Sequence, residues 1–130
     1  MRDGSTFAGA ISGTGGFTKE GAGGMTLSGA NSYTGATTVN GGAIGIGADE
    51  RIADASALVI NAGGTFDLLG HVETVASLAG AGDIVSTGGP GTLVFGGDDS
   101  STAFSGTTAA ATTLTKTGLG TFTADAGADI

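Results

Sequence analysis

The chain has no cysteine, no tryptophan, a single proline and a single histidine, and only 12% of its 130 residues are charged. Without a thiol, the lone His71 has no sulfur nucleophile to activate. One proline against 28 glycines excludes a collagen triple helix, which needs abundant proline and a strict three-residue glycine period. A mean hydropathy of +0.28 excludes a disordered linker, because such linkers are poor in apolar residues. Basic residues are scarce as well. Arg2, Lys19, Arg51 and Lys116 do not cluster, and the net charge of −8 repels phosphates, so nucleic acid is excluded as a partner and an anionic membrane surface is disfavoured. Solubility is the simpler use of that charge. No apolar run approaches the ~18 residues of a helical membrane span, so no direct membrane insertion of this segment is expected. Met1–Ala10 shows no charged start followed by an apolar run of about 7–15 residues, and the C-terminal residues show none of the alternating strands of an outer-membrane barrel.

What the chain does have is glycine, far above the ~7% of an ordinary globular protein, and the glycines are placed with a rhythm. A large apolar residue follows one or two positions after glycine at Gly24-Met25, Gly42-Ala-Ile44, Gly64-Thr-Phe66, Gly91-Thr-Leu93 and Gly120-Thr-Phe122. The first two steps are 19 and 22 residues; the next two, 27 and 29, each hold a further apolar start, at Ile84 and Leu114. Val39-Asn40 and Ile60-Asn61 stand 21 residues apart. A return near 20 residues is the mark of a solenoid, whose coils bury their apolar faces only by stacking on one another. A longer echo lies over it. Phe7, Gly9, Thr18, Lys19, Gly21, Gly23 and Thr26 recur as Phe104, Gly106, Thr115, Lys116, Gly118, Gly120 and Thr123, all displaced by 97 residues.

Within the coils, Met25-x-Leu27, Ile44-x-Ile46, Leu58-x-Ile60, Phe66-x-Leu68 and Leu93-x-Phe95 place apolar side chains two apart, on one face of a strand. Threonine fills many outward positions. The nearest approach to a helical period, Asp54–Ile60, is too short for a helix. With six Phe and no Trp, a core one coil wide is easier to fill than a broad one. The expected fold is therefore all-β: a right-handed, single-stranded parallel β-helix of about five to six coils. Glycine is expected at turns that need positive φ, and Asn31, Asn40 and Asn61 are expected as turn residues rather than as a stacked ladder.

The stretch from Phe17 to Ile46, which contains Gly-Ala-Asn-Ser-Tyr-Thr-Gly in the middle and Thr-Val-Asn-Gly-Gly-Ala-Ile near its end, resembles the passenger-associated repeat of bacterial autotransporters. Ala57–His71 with Thr74–Gly82 is similar to the segment that follows that repeat in many passengers, and Thr113–Phe122 to the start of a next copy. Residues 1–130 are then expected to form a single β-helix segment of a longer passenger: one large unit of ~97 residues plus the start of the next at about 104–130. The resemblance implies export through the Gram-negative outer membrane and display or release of the passenger, and the lack of cysteine agrees with that route. A solenoid cut at both ends is expected to stack on adjacent coils of the full passenger or to associate end to end.

Sites for chemistry are sparse, and no catalytic, cofactor-binding or metal-binding residue is assigned. His71, with Asp67 and Glu73 nearby in a stretch read as an inter-coil turn, has no Gly-x-Ser-x-Gly elbow to serve and is expected to be structural or exposed. The carboxylate doublets Asp49-Glu50 and Asp98-Asp99 point to opposite faces of a strand and are read as solvated turns; Arg51 is the one base near them. Gly45–Ile52 partly imitates the nonapeptide of calcium-binding β-rolls, which would make Asp49, Glu50, Asp54 and Asp83 oxygen ligands, but that motif works in tandem and occurs once here. No phosphate-cradling glycine loop is present. The leading expectation is a structural and adhesive scaffold or spacer, not an enzyme, whose Thr- and Ser-rich outer faces contact a host receptor, a glycan or a sister molecule. The alternatives are a carbohydrate-active β-helix, which would want aromatic residues on an outer face where Tyr33 is the one tyrosine available, and a calcium-stabilised β-roll.

Overall fold

The computed structural model describes residues 5–109 and 111–124. Along the chain the strands are β1 (Ser5–Phe7), β2 (Phe17–Lys19), β3 (Gly24–Leu27), β4 (Thr37–Val39), β5 (Gly42–Ile46), β6 (Leu58–Ile60), β7 (Gly64–Asp67) and β8 (Val72–Thr74). They continue as β9 (Leu78–Gly80), β10 (Asp83–Val85), β11 (Gly91–Phe95), β12 (Thr102–Phe104), β13 (Thr107–Thr108), β14 (Thr112–Lys116) and β15 (Phe122–Ala124). No helix occurs among the described residues. Every pairing is parallel and joins strands of successive coils. Three sheets result: β1-β3-β5-β7-β10-β13 on a first face, β8-β11-β14 on a second, and β2-β4-β6-β9-β12-β15 on a third. The chain passes from first face to third in each coil, with a strand on the second face between them from β8 onward, so this is the parallel β-helix expected, of about six turns. The tail 125–130, where the second large unit would continue, lies outside the described residues.

The alternation read from the sequence fills the core. Met25, Ile44, Phe66 and Ile84 stack in register on the first face, and Val39 and Ile60 on the third, all buried. Each inward residue sits over its counterpart one coil away, about 4.8 Å along the axis, so a narrow core is filled by aliphatic residues with a few rings, Tyr33, Phe66, Phe95 and Phe104. The apolar starts do not, however, form one series. Met25, Ile44, Phe66 and Ile84 belong to the first face, Leu93 and Leu114 to the second, and Phe122 to the third. The short steps from Ile84 to Leu93 and from Leu114 to Phe122 are changes of face inside one coil. The 97-residue echo likewise joins different faces: Phe17–Lys19 lies on the third and Thr112–Lys116 on the second, five coils less one face further on. What the echo does preserve is a local cap. Lys19 Nζ donates to the carbonyls of Glu20 and Gly21, and Lys116 Nζ to those of Thr117 and Gly118, over a glycine of φ 80° and 74° respectively.

Positive φ accounts for only part of the glycine. Gly80 has φ +115° and its missing side chain would meet the Ile60 backbone of the coil below. Gly106 has ordinary φ, yet a β-carbon there would fall on the Gly82 carbonyl. The corners of the solenoid bring backbone onto backbone, and glycine is what lets them close.

Candidate functional site

The second face has strands only in the later coils, beginning with β8. The edge of β8 toward the preceding coil would carry bare N–H groups, and residues 49–52 cover it with side chains in place of a strand. Asp49 Oδ1 accepts Val72 N–H at 2.9 Å, and Glu50 Oε1 accepts Thr74 N–H at 3.1 Å while its Oε2 accepts the Thr74 hydroxyl at 2.8 Å. In return Glu73 Oε1 accepts the N–H groups of Arg51 and Ile52 at 2.8 and 3.0 Å. Glu50 has φ 56°, a left-handed backbone uncommon for a residue with a β-carbon, and it turns the loop at this point.

Glu73 is not the turn residue the sequence suggested. It lies in β8, in register with Leu93 of β11 and through it with Leu114 of β14, so a carboxylate occupies a column otherwise filled by leucine. Its exposure is 0%, and among the described residues Oε2 has no hydrogen-bond partner. Burial pushes the Glu73 carboxyl up to about 8; the N–H of Ile52 opposes this, and the Glu50 carboxylate adds to it. Asp54 completes the group: one carboxylate oxygen from each of Glu50, Asp54 and Glu73 lies within 4.8 Å of the others. Slight burial and the Glu50 carboxylate raise Asp54 above the usual range.

Of the four oxygen ligands the sequence suggested, the fold gathers Glu50 and Asp54. Asp49 pairs instead with His71, at 3.4 Å from Nδ1, and Asp83 accepts the Thr107 hydroxyl at 2.6 Å on the first face. Glu73 was missed as a member because its neighbours came from a coil 23 residues away; the signal available was Val72-Glu-Thr-Val75, which repeats as Thr92-Leu-Val-Phe95 with an acid in an apolar position. Arg51 does not serve the carboxylates: its guanidinium donates to the carbonyls of Asp49 and Ser28. His71 touches Asp49, not Asp67 or Glu73, and is half-buried. Asp98 binds Ser100 within its own turn, which holds its carboxyl below the usual range, and Asp99 caps Leu119 N–H, so the two carboxylates part because they sit in the turn after β11 and not because they alternate along a strand.

Two expectations about polar residues are corrected. Asn40 and Asn61 form a ladder, Asn61 Nδ2 donating to Asn40 Oδ1 at 2.7 Å and Asn40 Nδ2 to Glu20 Oε2 at 2.8 Å, because both follow the last residue of stacked strands β4 and β6. Asn31 is buried and bridges three coils, accepting Ile11 N–H at 2.8 Å and donating to the Arg51 carbonyl at 3.0 Å. Tyr33 does not offer a sugar platform. It is 1% exposed, and its hydroxyl joins an internal chain through Thr37 (2.6 Å) and Ser56 (2.8 Å) to the Gly35 carbonyl (2.7 Å).

Residues 17–46 match the passenger-associated-transport-repeat family. The chain is also similar to the adhesin BmaC autotransporter of Brucella suis biovar 1 (strain 1330), with 39% identity over 70 residues, which is 52% of this chain and 2% of that protein. The chain thus spans a small fraction of the curated relative it matches. No solved structure matches it.

Proposed function

We propose that this chain, which carries a passenger-associated-transport-repeat, is a structural and adhesive segment of an autotransporter passenger, displayed at the Gram-negative cell surface or released from it, and not an enzyme. The observation that carries this reading is the unbroken coil-to-coil pairing. Parallel ladders run along the first and third faces through six strands each and along the second through three. Bending such a rod must stretch hydrogen bonds on one side and compress packed side chains on the other, so it acts as a stiff spacer. Its outside is broad and shallow, with cross-coil clamps such as Asp67 to the Thr87 hydroxyl (2.6 Å) leaving a surface of small polar groups. Such a surface suits extended contact with a receptor, a glycan or a sister molecule rather than capture of one small substrate.

Stacking on neighbouring coils is part of the same proposal. Phe7, Ile11 and Phe17 are only partly buried around a cavity of about 370 Å³ at the first described coil, an apolar surface suited to a further coil. Beads coated with the purified chain should adhere to host cells or to arrayed glycans, and sedimentation should show larger species as concentration rises. Beads that bind no better than beads bearing an unrelated acidic protein would remove the adhesive part of the reading. Release of unsaturated ends from acidic polysaccharides would overturn the non-enzymatic part.

A further inference from the structure

We propose that Glu50, Asp54 and Glu73 form a single calcium site that ties the coil of β5 and β6 to the coil of β7, β8 and β9. Three carboxylates converge from two coils, each bringing an oxygen within 4.8 Å of the others. Three oxygens 4.8 Å apart stand about 2.8 Å from their common centre, so a small inward movement of the exposed Glu50 and Asp54 brings all three to the 2.3–2.6 Å bonds of calcium. An acidic cluster alone would be an ordinary edge cap. Here one of its members is fully buried, and its Oε2 faces no donor, although Oε1 takes two backbone N–H groups. A buried carboxylate oxygen without a partner is costly, and among the described residues no arginine or lysine answers it, since Arg51 is turned to backbone carbonyls. A cation held between Glu73, Glu50 and Asp54 supplies the missing positive charge.

The ligand set favours calcium over magnesium. Glu73 Oε1 is fixed by backbone donors and both Glu50 oxygens are engaged by Thr74, so the group cannot easily contract to the ~2.1 Å octahedron that magnesium demands. Glu50 and Asp54 are exposed, which leaves room for water ligands and a path for the ion. The site differs from a calcium β-roll: its ligands do not repeat, and it joins one pair of coils.

The test is calorimetric titration of the chelator-stripped full chain with calcium chloride, alongside thermal unfolding with and without about 5 mM calcium. One ion should bind per chain with a dissociation constant of about 0.1–1 mM, the range of extracellular calcium modules, and the melting temperature should rise. Asp54→Asn, at an exposed position, should weaken binding about tenfold or more, and because it relieves repulsion with Glu50 its calcium-free melting temperature should not fall below the parent's; Asp98→Asn should bind as the parent does. The proposal is overturned if no saturable binding occurs, which would mean that Glu50 and Glu73 share a proton instead, or if Asp54→Asn binds equally well. Equal stabilisation by magnesium would overturn the assignment to calcium.

Discussion

Replacing Gly106 by alanine should break the stacking of a coil, whereas the same change at Gly89 should be harmless or helpful. At Gly106 the added β-carbon would overlap the Gly82 carbonyl, and no flexible side chain is there to yield; the Phe104 ring presses from another side. The backbone must lift away along the axis by more than an ångström against a coil spacing of about 4.8 Å. The bonds that hold this corner are Ser105 N–H to Gly80 O at 2.8 Å, Thr107 N–H to Gly82 O at 3.2 Å and Ala109 N–H to Ile84 O at 2.9 Å. Losing two or three of them at about 1 kcal/mol each, with some loosening of buried Phe104, costs roughly 3 kcal/mol. At Gly89 no atom lies within 4 Å of where an added methyl carbon would stand, and φ is not positive, so alanine there only restricts the unfolded chain and stabilises by about 0.4–1 kcal/mol. Urea unfolding followed by far-ultraviolet circular dichroism should therefore separate the two variants by roughly 4 kcal/mol, the sum of those terms. If Gly106→Ala unfolds at the parent's midpoint, or if both variants lose stability alike, the coils are not as close at that corner as argued.

Phe66→Ala, which empties a fully buried position between Ile44 and Ile84, should cost about 3–5 kcal/mol in the same denaturation assay, while Asp98→Ala on an exposed turn should stay within about 0.5 kcal/mol of the parent. Asn40→Ala removes the middle rung between Glu20 and Asn61 and should cost about 1 kcal/mol, read as a lower urea midpoint; no change would mean the exposed ladder is decorative. In chelator, the raised Glu73 carboxyl should make stability depend on pH. Because its folded value of about 8 lies above the unfolded one near 4.3, the protonated acid is favoured by folding, and that contribution is complete below about pH 4, fades as the pH rises, and is gone above about 8. Glu73→Gln should show a shallower fall in melting temperature than the parent between about pH 5 and 9; parallel curves would place the Glu73 titration elsewhere.

The family expectation and the fold were legible because they are local or periodic. The run from Phe17 to Ile46 carried the passenger-repeat resemblance, and pairs such as Leu58-x-Ile60 carried strand alternation without reference to any neighbour. Coil length was legible from Val39-Asn40 and Ile60-Asn61, whose 21-residue spacing is the true register of β4 on β6. The division into three faces was not, since one series of apolar residues cannot say when the chain has turned a corner, and Ile84 and Leu93 look alike whether they share a sheet or not.

The carboxylate group marks the same boundary. Alternation within Val72–Thr74 says that Glu73 lies on one side of a strand, but not that this side is the core. That this protein stacks short parallel strands with a glycine-rich rhythm is written in the order of its residues, because hydrophobic period and turn residues are properties of neighbours along the chain. Which glycines are indispensable, that Asn40 and Asn61 form rungs, and that Glu50, Asp54 and Glu73 meet emerge only on folding. Those features depend on which residue lies one coil away, and the number of residues in each coil varies just enough that only the folded register fixes it.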